Sequence, residues 1–152
     1  MTRWLFLALA VAGTYGIRMR KQDQHPDAFR AIRLYTTGSS PVPPEEQYAA
    51  VNYLADYPLY DEVYLSQEQQ DSLWHIMKTH DYFIENLTKS CRFQPRYALI
   101  ISHAEPEADL NILLSPSPCS KALLIRQKEE NWVVVPPNSS LETTLNRWAG
   151  YY

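Results

Sequence analysis

Tyr97-Ala98-Leu99-Ile100-Ile101-Ser102 is the stretch on which the fold turns. Leu99 and Ile101 fall on one side of an extended chain, Ala98 and Ile100 on the other. A strand apolar on both faces must be covered on both, so this segment is expected at the centre of a sheet. Downstream, residues 110–114 give a second strand, 122–126 a third and 132–135 a fourth, which Pro136 and Pro137 end. The polar run Lys128-Glu129-Glu130-Asn131 reads as the turn of a hairpin between the last two. These connections are mostly too short for parallel crossovers, which predicts an antiparallel sheet.

Two helices announce themselves by their caps. Ser66-Gln67-Glu68-Gln69 places a hydroxyl at the cap and an amide three residues on, the spacing of a capping box. Leu73, Ile76, Met77 and His80 follow as the buried stripe of a helix over about 67–80. Ser139-Ser140-Leu141-Glu142 repeats the pattern. Leu141, Leu145 and Trp148 give the buried face of the closing helix, and Gly150 ends it. Before the first box, Leu59 to Leu65 alternates as a strand does. Pro43-Pro44-Glu45-Glu46 reads as a helix start with acids in its first turn. Tyr48, Val51, Leu54 and Ala55 would form its stripe, stopping before Pro58. Residues 27–35 read as a further short helix through Phe29, Ile32 and Leu34, and the proline-rich run 36–44 reads as a linker or extended arm. The expectation is therefore an α+β domain over residues 45–152. Its antiparallel sheet of about four strands would be packed by two to three helices, with a partly extended connector over 18–44.

The 152 residues carry a net charge of −3, which gives no footing for nucleic acid or an acidic lipid surface. The basic residues are unevenly placed. Arg3, Arg18, Arg20, Lys21, Arg30 and Arg33 all precede residue 34, and the first of them flank the apolar run 4–17. A short apolar run behind an arginine reads as a signal peptide, with Ala10-Val11-Ala12 as a cleavage site, or as a retained membrane anchor. At 14 residues it falls short of the roughly 20 that a spanning helix needs, so a buried helix is the competing reading. The positive charges after the run weigh against cleavage. Residues 1–17 are thus expected to direct the domain to the periplasm or another extracytoplasmic space.

That placement bears on Cys91 and Cys119, the two cysteines of the chain. In an oxidising compartment an even pair reads as a disulfide; in a reducing one, as two buried thiols. Cys91 precedes the central strand and Cys119 follows its neighbour, so an antiparallel hairpin would bring them together. Closing such a loop would stabilise the fold by about 3 to 3.5 kcal/mol.

No catalytic set can be assembled. His103-Ala104-Glu105 with Pro118-Cys119 has the look of half a zinc deaminase signature, but the second cysteine is absent and the gap is short. His75 and His80, five apart, do not share a helix face as a metal pair would. Four glycines leave no phosphate-binding loop. No metal and no cofactor are expected. Asn86-Leu87-Thr88 and Asn138-Ser139-Ser140 match the glycosylation sequon, and the second is better explained as a cap.

Cys91-Arg92-Phe93-Gln94-Pro95-Arg96-Tyr97-Ala98 resembles a group of small uncharacterised exported bacterial proteins. These carry a cysteine, an aromatic, then Pro-Arg or Pro-His leading into an apolar strand, and end after a second strand in a Cys-x-x-Cys. Cys91, Pro95, Arg96 and Ala98 match; Phe93 is displaced by one residue. Cys119 matches the last cysteine, while Pro116 stands in place of the first of that pair. The resemblance covers about residues 59–150. It implies export and a structural cysteine, and it brings no activity.

The functional expectation is a non-catalytic envelope domain that binds a protein partner, for which the 11 tyrosines are suited. Arg96, His103 and Glu105 are the candidate partner or anion contacts. The alternatives are a small envelope hydrolase built on the same three residues, and an accessory subunit of a membrane complex anchored by residues 4–17.

Overall fold

The computed structural model describes residues 29–79, 84–85, 90–136 and 139–150. The apolar run 4–17, His80, the sequon at 86–88 and Asn138 lie outside them. The domain is mostly β. One antiparallel sheet of eight strands is packed by only two α-helices, in place of the expected four strands under two to three helices. In chain order the strands are β1 (Phe29–Thr37), β2 (Asn52–Leu54), β3 (Tyr57–Val63), β4 (Ile84–Glu85), β5 (Tyr97–His103), β6 (Leu110–Ser115), β7 (Lys121–Arg126) and β8 (Glu129–Val134). The helices are α1 (Gln67–Thr79) and α2 (Ser140–Trp148). Across the sheet the order is β2-β3-β1-β5-β6-β7-β8-β4.

Three sequence readings are corrected by this arrangement. Residues 29–37, read as short helix and connector, form β1, which lies inside the sheet between β3 and β5. Phe29 and Ile32 have the three-residue spacing of a helix face. The register that prevails is Ile32 and Leu34 inward, opposite Ile101 and Leu99 of β5. The expected helix after Pro43 is a single 3-10 turn over Pro44–Glu46, and Leu54 and Ala55 belong to a hairpin instead. That hairpin closes with Leu54 opposite Tyr57, leaving Ala55 and Asp56 as a two-residue turn with φ of 47° and 65°. The β7–β8 turn is likewise Gln127 and Lys128, with φ of 49° and 74°, so β8 begins at Glu129 rather than Trp132. Left-handed backbone at both central positions is what matches the twist of a tight hairpin, and here it is adopted without glycine.

Residues 97–103, 110–115 and 121–126 are strands as read, with β5 paired to β1 on one side and β6 on the other. Both helices lie on one face. Leu73 of α1 and Leu141 and Leu145 of α2 pack on Ile32, Leu34, Leu99, Ile101, Ile112, Leu114, Ala122 and Val133. Tyr97, fully buried among them, donates its hydroxyl to Asn146 of α2.

The other face holds a second cluster of Tyr35, Leu59, Ala98, Leu113 and Leu123, buried with no described helix over it. Curvature of the sheet closes it. Tyr57 on β3 and Trp132 on β8 are five strand spacings apart, roughly 24 Å across a flat sheet. Yet both rings contact Phe93 edge-on, at centroid distances of 5.8 and 4.8 Å. They are therefore within about 11 Å of each other, and the sheet curls into a half-barrel with Phe93 across its mouth.

Candidate functional site

The segment that carries Phe93 is pinned at its start. Cys91 and Cys119 form a disulfide with Cα atoms 5.7 Å apart. Paired β5 and β6 bring the two residues to the same end of the sheet. Lys121 Nζ reaches the Cys91 carbonyl at 3.5 Å, and the Gln94 N–H donates to Ser115 Oγ at 3.4 Å. Arg96 then enters the sheet through its backbone, donating to the Leu114 carbonyl and accepting from the Thr37 N–H, both at 3.0 Å.

The other wall is the turn 116–120, where the Ser117–Pro118 peptide bond is cis and Ser120 has φ of 46°. This turn is held from α2. Ser139 accepts from the Glu142 N–H at 3.2 Å, as a cap should. The Glu142 carboxylate does not return to the cap. It accepts from the Ser117 N–H at 2.9 Å and the Ser117 hydroxyl at 3.1 Å, in a position only 6% exposed. At α1 the box closes on itself: Ser66 N–H donates to Gln69 Oε1 at 2.9 Å, and Gln69 N–H to Ser66 Oγ at 3.3 Å.

Between these walls lies an open cleft of about 770 Å³. Thr37, Gly38 and Ser39 form one side with Tyr60. Cys91, Arg92, Gln94, Pro95 and Arg96 form another, and residues 115–119 the third. Gly38 is required here, because a Cβ would lie 2.6 Å from Pro58 Cγ. Arg92 and Arg96 are exposed, and no acidic side chain lines the cleft among the described residues. The Thr37 hydroxyl is buried and has no hydrogen-bond partner among those residues. Burial raises the Tyr57 hydroxyl above its ordinary value, and the nearby Arg92 charge opposes that shift. Burial also raises Tyr35, helped by its 2.9 Å hydrogen bond to Glu62 and opposed by Arg33.

The sequence singled out Arg96 with His103 and Glu105. The structure separates them. Arg96 enters β5 and His103 ends it, a span of roughly 23 Å at strand rise. Glu105 is exposed beyond His103, at the start of the Pro106–Ala108 turn. His103 is half-buried, 5.6 Å edge-on to Trp74, and its Nδ1 is buried without a partner among the described residues. Cys119, the other half of the deaminase-like pattern, is in the disulfide at the Arg96 end. Thr37, Ser39, Tyr60 and Arg92 were not anticipated. Only Arg92, inside the Cys91–Ala98 motif, carried any sequence signal.

Among the described residues no helix is long and apolar enough to cross a membrane, and no three His, Cys, Asp or Glu are grouped to hold a metal. A disulfide-bonded domain of this kind is compatible with an extracytoplasmic location. No family model, curated protein or solved structure matches the chain.

Proposed function

We propose that this chain is a non-catalytic domain of the cell envelope that binds a protein partner through its β2–β3 side. The observation that carries this reading is the exposure of three tyrosines there. Tyr48 is 76% exposed, Tyr60 60% and Tyr64 89%. Tyr60 is on β3, Tyr64 follows it directly, and Tyr48 precedes β2, the edge strand. Tyrosine supplies apolar area and a hydrogen-bonding tip at low entropic cost, and it is enriched where partner proteins bind most strongly. A sheet edge also offers unpaired backbone groups. Envelope placement is supported by the disulfide, which persists in oxidising compartments, and by the basic-flanked apolar run 4–17.

The experiment is site-specific photo-crosslinking in intact cells from position 64, with position 129, at the far β7–β8 turn, as control. A single adduct from position 64, absent from position 129 and lost in Y48A/Y60A, is the expected result. Equal labelling from both positions, or none from either, overturns the reading. Fractionation with thiol alkylation tests the compartment: both sulfurs freely alkylated in cytosolic protein would exclude the envelope.

One alternative role is an accessory subunit of a membrane complex that retains residues 4–17 as its anchor. Mass spectrometry of the mature N-terminus separates it from a released domain. The hydrolase built on Arg96, His103 and Glu105 is not proposed, because those residues lie at opposite ends of β5.

A further inference from the structure

We propose that the strap over residues 91–96 is a redox-gated cover. Reduction of the Cys91–Cys119 disulfide by a dithiol frees Phe93 from the mouth of the half-barrel and uncovers the apolar concave face, while the rest of the fold stands. The inference goes beyond partner binding at the β2–β3 side and does not depend on it.

Three observations converge. The first is what the strap covers. Phe93 lies edge-on to Tyr57 of β3 and to Trp132 of β8. It packs on the cluster of Tyr35, Leu59, Ala98, Leu113 and Leu123, which no described helix covers. Along the strap Phe93 and Pro95 turn inward, while Arg92, Gln94 and Arg96 are exposed. The second is how unequally the two sulfurs are anchored. Cys119 sits in a turn with holds of its own. The Ser120 N–H donates to the Pro116 carbonyl at 3.0 Å, the Val135 N–H donates to the Ser120 carbonyl at 2.9 Å, and Ser117 donates twice to Glu142. Cys91 has less. Its carbonyl accepts from Lys121 Nζ at 3.5 Å, and the next hold along the strap is the 3.4 Å bond from Gln94 to Ser115. Both lie beyond the usual length of a hydrogen bond. Firm pairing begins where the Arg96 backbone joins Thr37 and Leu114 at 3.0 Å. Opening the disulfide therefore releases residues 91–95 and leaves Cys119 in place. The third is access. Both cysteines line the open cleft, and Cys91 is half-buried where Cys119 is only 6% exposed. A thiolate entering the cleft meets Cys91 first. Its attack on Cys91 Sγ breaks the S–S bond, forms a mixed disulfide at Cys91 and leaves Cys119 as a thiolate. The reductant's second thiolate then displaces Cys91. The reductant ends as a disulfide, and its two electrons and two protons end on Cys91 and Cys119 as thiols. Exchange with an oxidised dithiol reverses each step.

The test uses full-length, disulfide-intact protein carrying fluorotryptophan, with the Trp132 resonance assigned through W132F. Dithiothreitol is added without denaturant. The expected result is a shift of the Trp132 fluorine resonance and a gain of ANS fluorescence as apolar surface opens. The resonances of Trp74 and Trp148, which pack on the helix face, and the far-UV circular dichroism should stay as they were. In the reduced protein Cys91 should be alkylated ahead of Cys119, read by mass spectrometry, because reactivity follows exposure. Reoxidation should restore the starting spectrum. F93A with its disulfide intact should already bind ANS, and dithiothreitol should add nothing further to it. C91S/C119S should match the reduced protein at Trp132. A disulfide that dithiothreitol leaves closed in the folded chain overturns the proposal. So does a Trp132 resonance that stays put once the sulfurs are free or replaced, or alkylation of Cys119 first. Loss of the helix-face signals together with Trp132 also overturns it, since the disulfide would then brace the whole fold. Crosslinking from position 64 reports on the partner, so either reading can fail without the other.

Discussion

Leu99, Ile101, Ile112 and Leu114 lie under two helices on one face of the sheet, while Ala98, Leu113 and Leu123 lie under no described helix on the other. Both sets are nonetheless buried, none of these residues being more than 3% exposed. The helix face is covered by many side chains from α1 and α2, so its protection is distributed. The concave face is closed by curvature and by one ring, Phe93, bridging Tyr57 and Trp132. A sheet can thus bury two cores with one layer of helices, provided the second core has a cover fixed from elsewhere. Here the disulfide two residues before Phe93 does the fixing.

The sharpest test of that contrast is on the helix face. Leu99→Ala should cost about 2–5 kcal/mol of unfolding free energy, the range for a buried leucine, as a drop in urea midpoint with unchanged slope. A loss below about 1 kcal/mol would mean the helix face is not the principal core. Removing the staple with C91S/C119S should cost about 3.5 kcal/mol in the chain-entropy model. Its distinguishing mark is a change in the fluorescence of Trp132 as Phe93 loses its tether. An unaltered Trp132 environment in the folded variant would break the link between staple and cover. Phe93→Ala should cost roughly 2 kcal/mol, below the range for a fully buried aromatic because the ring is half-exposed. Combined with C91S/C119S, its effect should be less than additive, and strict additivity would show that the two act independently.

The smallest effect concerns pH. Tyr35 and Tyr57 both titrate above the ordinary value of 10 in the folded protein, chiefly because burial disfavours the phenolate. Stability from these groups is fully present below pH 10 and is lost as pH rises through the raised values. Alkaline unfolding should therefore set in above about pH 10. Tyr35→Phe should shallow that decline while costing about 1 kcal/mol at neutral pH through the lost hydrogen bond to Glu62. A decline of undiminished slope in that variant would assign the effect to other groups.

The half of the chain after residue 60 was largely legible, for reasons visible in single residues. Unbroken apolar runs mark β5, β6 and β7, because both faces of the sheet are buried there. The caps Ser66 and Ser139 mark α1 and α2 because a hydroxyl before an apolar stripe has few other uses. The first half misled because chance spacing imitates a helix. Phe29 and Ile32, then Tyr48, Val51 and Leu54, recur at three-residue intervals, whereas pairing puts Phe29, Ile32 and Leu54 in strands and leaves Tyr48 and Val51 in the turn before β2. The two tight hairpins were hidden because Ala55-Asp56 and Gln127-Lys128 adopt left-handed backbone without the glycine that usually signals it. In the cleft, the cysteines and Arg96 could be read. Thr37, Ser39 and Tyr60 could not, since only the insertion of β1 between β3 and β5 brings them to the Cys91 end. Grouping Arg96 with His103 failed for a simpler reason. Neighbours in sequence along a strand are carried steadily apart.

Glu142 follows Cys119 in the chain, yet its carboxylate steadies the turn on which Cys119 sits. On the envelope reading proposed above, a chain crossing the membrane amino end first would expose both thiols before that carboxylate emerged. In the folded chain the docked α2 holds the turn that presents Cys119 to Cys91. On that reading the closing helix would guide oxidation as well as cover the sheet, and chains halted before residue 139 should acquire the bond more slowly.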